Sequence, residues 1–101
     1  MTHIIRLRGA WESTSSSATT HHSRKFGRPR TLEAHERVWL VCENVPGPNE
    51  VSINGKVIGG SREKGPFAVD ITDVLEPRNQ VLFSVDSSDP LGEVTLEIRA
   101  N

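Results

Sequence analysis

Apolar and polar residues alternate along most of this chain, and the alternation comes in short pieces. "EVTLEIR" sets Val94, Leu96 and Ile98 against Glu93, Thr95, Glu97 and Arg99. "QVLFSVD" places Val81, Phe83 and Val85 on one side, and "FAVDI" does the same with Phe67, Val69 and Ile71. In "HIIRLRGAW", Ile5, Leu7 and Trp11 share a parity with Arg6 and Arg8 between them. A period of two is that of a strand with one buried face. "RVWLVCENV" differs: Val38, Leu40 and Cys42 fill one face, and Trp39 and Val41 the other. A strand apolar on both faces is expected in the middle of a sheet with something covering each side.

Turn signals separate these pieces. "VSINGKVIGG" predicts a hairpin whose two-residue loop, Asn54-Gly55, needs positive φ at both positions. That loop pairs Ile53 with Lys56, Ser52 with Val57, and Val51 with Ile58. "PGPN" and "SSDPLG" read as turns, and "TDVLEP" as a single helical turn capped by Thr72 and stopped by Pro77. "RKFGRPR" fits a short strand around Phe26, and "TLEAHE" fits either a helical turn or a loop. Residues 12–23, "ESTSSSATTHHS", lack large apolar side chains and read as a flexible loop. The prediction is one domain over residues 1–101, an all-β antiparallel sandwich of about seven or eight strands.

"RVWLVCENVPGPNEVSINGKVIGG" followed by "GPFAVDITDVLEPRNQVLFSV" resembles the sugar-binding domain that precedes the catalytic barrel in family 2 glycoside hydrolases. The matching elements are Val38 to Glu43, Val51 to Gly55, Gly59, Pro66 to Leu75, and Asn79 to Val85. Arg78 stands where a Gly often precedes the Asn, and "SREKG" replaces an aromatic residue and Gly. The resemblance implies a galactose-binding-like jelly roll with a carbohydrate as its ligand. The chain carries no counterpart of the barrel or its glutamates, so what is implied is a non-catalytic module. A structural or protein-interaction module that keeps the fold without the sugar, as a homo-oligomer or with a partner protein, is the alternative.

Composition narrows the partners. The 101 residues carry a net charge of -1, so no global basic field favours nucleic acid. No apolar stretch approaches the roughly 20 residues needed to span a bilayer, and no signal peptide is visible, so a cytoplasmic, membrane-free protein is expected. The single cysteine, Cys42, reads as a small buried hydrophobe. "HHSRKFGRPR" gathers Arg24, Lys25, Arg28 and Arg30 around Phe26, a solvated basic edge rather than a nucleic-acid site.

Candidate chemistry is sparse. No cofactor is expected. His3, His21, His22 and His35 do not follow metal-ligand spacing. The Asp86–Asp89 turn could offer oxygens to calcium but lacks the dense alternating acids of a dedicated loop. A glycosidase would need two carboxyl groups in a cleft, and a hydrolase a held Ser–His pair; neither is evident, and no catalytic residue is assigned. A sugar site needs an aromatic platform beside polar groups. Parity assigns Phe67 and Phe83 to the core, which leaves Trp11 and Trp39 as platforms and His22 and Arg28 as polar partners. These four are the candidate ligand-binding residues. Parity also places Trp39 on the outer face of its sheet, where it is expected to be covered by the N-terminal segment, by the Phe26 segment or by another subunit.

Overall fold

The structure, a computed structural model, describes residues 3–29 and 31–100. Nine strands among the described residues form two antiparallel sheets packed as a β-sandwich. They are β1 (His3–Arg6), β2 (Glu12–Ser16), β3 (Thr19–Gly27), β4 (Glu36–Val45), β5 (Asn49–Ile53), β6 (Lys56–Ser61), β7 (Gly65–Asp70), β8 (Arg78–Val85) and β9 (Val94–Ala100). One sheet has the order β1-β9-β4-β7 and the other β2-β3-β8-β5-β6. The doubly apolar strand β4 is central, as its pattern predicts.

The alternating residues meet in one core. Val38, Leu40 and Cys42 lie across from Ile98, Leu96 and Val94, and all six are buried. The opposing layer comes from Val51, Ile53, Val81, Phe83 and Val85, each fully buried. Burial in apolar surroundings pushes the Cys42 thiol above its ordinary pKa, although the S–H donates to the Asn44 carbonyl. The "TDVLEP" segment forms a 3₁₀ turn, Thr72–Val74. Thr72 does not cap it, since Ile71 holds the N-cap position without a side-chain cap; instead Asp70 Oδ1 accepts from the Thr72 amide at 2.9 Å and from its hydroxyl at 2.7 Å.

The Asn54-Gly55 turn forms as expected, with φ of 52° and 82°. Ile53 faces Lys56 and Ser52 faces Val57, but Val51 faces Gly59 instead of Ile58 because a bulge follows. A Cβ at Gly59 would lie 2.9 Å from the Phe67 ring, so the Phe67 side chain occupies the space that a regular ladder would give to a residue opposite Val51. Nothing lies within 4 Å of a Cβ built on Gly55, so its requirement for glycine is purely one of backbone conformation. Gly55→Val is expected to lower stability by about 1–2 kcal/mol, the cost of holding a β-branched residue in the left-handed region. An unchanged urea midpoint would show that the loop adopts another turn at no cost.

The sequence reading misses most in residues 12–23. This segment is no flexible loop: β2 and the first half of β3 pair from Glu12↔Ser23 to Ser16↔Thr19 around a two-residue turn. β2 is an exposed edge strand, so it needs no large apolar residues. The first strand is also shorter than expected. It ends at Arg6, and positive φ at Gly9 and Ala10 turns the chain across to the other sheet.

Candidate functional site

The register of β3 decides where its polar residues point. Ser13 lies opposite His22, which lies opposite Phe83, which lies opposite Val51. Residues directly opposed across strands share a face, so His22 points between the sheets while His21 points out. Phe83 and Val51 are core residues. His22 and Ser13 continue that inner face toward the edge of the sheet.

The β1–β2 crossover covers this part of the inner face. Leu7 is buried and donates its amide to the Val94 carbonyl at 2.9 Å. Trp11 packs against the core with its ring 6.0 Å from that of Phe83, and its indole N–H donates to the Leu7 carbonyl at 2.9 Å. Arg24, on the same inner face of β3, donates to the carbonyls of Gly9 and Arg8 and ties the crossover down. A recess of about 290 Å³ remains between the crossover, β2, β3 and the 90–94 segment. Trp11, Ser13, His22, Leu91 and Glu93 line it. Glu93 pairs with Arg6 at 2.8 Å and, more loosely, with Arg8 at 3.9 Å.

His22 is the unusual group in this recess. Its Nδ1 shares a 2.7 Å hydrogen bond with the Ser13 hydroxyl, but its buried Nε2 has no partner. A buried polar atom left unpaired costs about 1–3 kcal/mol. Burial, and then the neighbouring His21, lower the His22 pKa from the ordinary 6.5, so the neutral ring is favoured. The sign of the pH effect follows. The unfolded chain holds this proton up to a higher pH than the folded one, so stability from neutral His22 is complete above about pH 6.5 and declines as pH falls through the lower folded value. The urea midpoint of the wild type should therefore drop between about pH 7.5 and about pH 5 more than that of His22→Phe. Parallel profiles would show that His22 is not the group responsible.

The other sequence candidates lie elsewhere. Trp39 is on the outer face of the four-stranded sheet, as parity predicts, but its cover is neither the N-terminal segment nor Phe26. The Arg99 guanidinium sits 4.4 Å from the centre of its ring. Arg99 stands diagonally across from Trp39, because Trp39 faces Glu97 and Arg37 faces Arg99, and Glu97 holds the guanidinium at 3.0 Å. Arg28 donates to the Leu75 carbonyl at 2.7 Å and so braces the 3₁₀ turn. Phe26 is buried, and Arg24 is committed to the crossover, so the basic cluster read from the sequence does not assemble; Arg30 lies outside the described residues. Of the four candidate ligand-binding residues, the fold brings together Trp11 and His22. Ser13 and Glu93 join them without having been singled out, because their proximity depends on cross-strand register.

Asp70, Asp73 and Asp86, three acids near turns, are engaged. Arg37 Nε holds Asp70 at 2.8 Å, and another of its nitrogens holds Asp73 at 3.1 Å. Burial alone would raise the Asp70 pKa, but hydrogen bonds from Arg37 and Thr72 outweigh it and hold the carboxyl below its ordinary value. The same pairing raises the Arg37 pKa, first through Asp70 and then through Asp73. Asp86 Oδ1 accepts from the Thr19 hydroxyl at 2.9 Å. Among the described residues no group of three or more His, Cys, Asp or Glu is placed to hold a metal ion, and no helix is long and apolar enough to cross a membrane.

No family model and no curated protein sequence matches this chain. Solved structures do match. An FMN-binding β-glucuronidase from Facaelibacterium prausnitzii L2-6 aligns over 100% of this chain with a TM-score of 0.84 and 20% identity. A β-glucuronidase from Bifidobacterium dentium, complexed with coumarin-3-O-glucuronide, aligns over 98% with a TM-score of 0.83 and 14% identity. A β-glucuronidase from an uncultured Clostridium sp. aligns over 99% with a TM-score of 0.82 and 15% identity. This chain spans only 23%, 30% and 29% of those three chains, respectively. At such identities the likeness is one of fold: this β-sandwich is shared with a part of each glycosidase.

Proposed function

We propose that this chain is a non-catalytic carbohydrate-binding module, related to the sugar-binding β-sandwich domain of family 2 glycoside hydrolases, and that its ligand enters the Trp11–His22 recess. The observation that carries this reading is the unpartnered His22 Nε2 in a recess bordered by an indole. A hydroxyl both donates and accepts, so it satisfies Nε2 whichever ring nitrogen bears the proton. The recess lies at the small end of ligand sites, which suits one sugar ring better than a longer chain. The resemblance of "GPFAVDITDVLEPRNQVLFSV" to the family pattern and the shared fold both support the family assignment.

The way the acids and the Ser–His pair are held supports the non-catalytic reading. Asp70 and Asp73 share one arginine. The Ser13–His22 pair has nothing at Nε2 to orient the ring, and a nucleophile–base pair works only when the base is itself held.

Titrating the labelled protein with neutral mono- and disaccharides tests the reading. At least one sugar should shift the His22 ring nitrogens and change Trp11 emission, and His22→Phe should abolish the response. Aryl glycosides should show no turnover. If no sugar perturbs either residue, the carbohydrate reading fails. The alternative is a scaffold or protein-interaction module; sedimentation showing a stable oligomer of a sugar-blind protein would favour it.

A further inference from the structure

The outer face of β3 and β8, on the other side of the sheet from the Trp11–His22 recess, carries a second feature. Phe26 and Asn79 face each other across the strands and are both buried. Their neighbours must then point outward. Lys25 lies opposite Gln80, and Gly27 opposite Arg78, so these four residues form the corners of one outward-facing patch. The two cations are diagonal neighbours. Diagonal positions in an antiparallel pair are about 7–8 Å apart, within reach of long side chains. Gly27 contributes no side chain at the third corner, and a Cβ there would meet only the Pro77 carbonyl, at 3.9 Å. The hairpin tip closes one end, since the Asn54 amide donates to the Gln80 carbonyl and Asn54 Oδ1 accepts from the Gln80 amide, each at 2.9 Å. An open recess of about 590 Å³ results, and no carboxylate lines it.

Arg6, Arg37 and Arg99 pair with acids, and Arg24 and Arg28 with backbone carbonyls. The Lys25 and Arg78 side chains have no such partner among the described residues, nor does the Gln80 carboxamide. Lys56, Arg62 and Lys64 are also unpaired among the described residues, so what sets Lys25 and Arg78 apart is that they flank one notch together. Two unpaired cations and the NH₂ group of a free carboxamide around a notch present positive charge and hydrogen-bond donors suited to an oxyanion. Phe26 also lines the notch, but at 8% exposure its ring offers too little face for the base stacking that a nucleic-acid strand would require.

We infer that the Lys25–Arg78 notch is a binding site for a small oxyanion, either the carboxylate of an acidic sugar or free phosphate. The site stands independently of the proposed neutral-sugar recess, because β3 separates the two. Titration of the 15N-labelled chain with sodium glucuronate, glucose and inorganic phosphate, at constant ionic strength, tests it. Glucuronate or phosphate should shift the amides of Gly27, Arg78 and Gln80, and glucose should not. Competition between the two anions then identifies the source: tighter binding of glucuronate marks an acidic-sugar site, and tighter binding of phosphate marks a phosphate site. Lys25→Gln and Arg78→Gln should each weaken binding, and the double variant should weaken it at least tenfold, with its remaining spectrum unchanged because both side chains are exposed. His22→Phe should leave it unaltered. No shift with either anion, or equal shifts in the double variant, would overturn the assignment.

Discussion

Phe83→Ala is expected to lower stability by about 3–5 kcal/mol, the range for emptying the site of a large buried aromatic. Domains of this size are stable by only about 5–15 kcal/mol, so the loss would be a large fraction of the total. Phe83 is fully buried at the middle of β8, the central strand of the five-stranded sheet. It meets Phe67 edge-on at 6.3 Å and Trp11 at a tilt at 6.0 Å, so its ring joins both sheets and the crossover. The surrounding residues belong to paired strands and cannot easily collapse into the space. Phe83 also lies opposite His22, so its ring supports the floor beneath the recess. The truncation should therefore shift both the urea midpoint and the tryptophan emission of the native state. Phe83→Leu, which keeps much of the apolar volume, should recover a good part of the loss. A change below about 1 kcal/mol for alanine would mean that the core repacks around the gap.

Wherever burial alone decides a side chain's direction, the fold was legible in the sequence. β4, β5, β8 and β9 each carry apolar residues at alternate positions that form the core, and Phe67 and Val69 of β7 pack half-buried against it. Asn54-Gly55 identified its own turn because few other pairs tolerate positive φ at both positions. What could not be read is register. Ser13 and His22 meet only because a two-residue turn at Ser17 and Ala18 sets the β2–β3 ladder, and no apolar pattern marks that turn. Trp39 was placed on the correct face, but its cover, Arg99, comes from a strand that pairs with it from far along the chain. The displaced Ile58 is a similar case: Gly59, which takes its place opposite Val51, lies against Phe67, which sits on the other sheet. The candidate site was half visible, as two residue types capable of sugar contact, while the recess itself depends on how the crossover folds over β3.

Asn79 offers the other large expected effect, and it shows what the asparagine that opens the Asn79 to Val85 element contributes physically. Asn79 is buried at the start of β8. Its Oδ1 accepts from Asn54 Nδ2 at 3.0 Å and from the Glu76 amide at 2.8 Å. Its Nδ2 donates to the Glu76 carbonyl at 2.9 Å and, more weakly, to the Phe26 carbonyl at 3.5 Å. One carboxamide thus ties together the hairpin tip, the turn after the 3₁₀ segment and the end of β3. Asn79→Leu has nearly the same size but can neither accept nor donate, so it takes a partner from four groups that burial partly withholds from water, of which Asn54 Nδ2 keeps the Val74 carbonyl at 3.3 Å. The expected loss is about 2–4 kcal/mol, because unpaired buried groups are penalised one by one. Asn79→Asp should not rescue it. The acid keeps both acceptor contacts but sets a charged oxygen against the Glu76 and Phe26 carbonyls in place of a donor. Hydrogen exchange would localise the effect: in Asn79→Leu, the amides of Asn54, Glu76 and Gln80 should lose protection while those of β9 keep it relative to global unfolding. Uniform loss across both sheets, or a stability change within about 0.5 kcal/mol of wild type, would show that Asn79 is not the tie between these three elements.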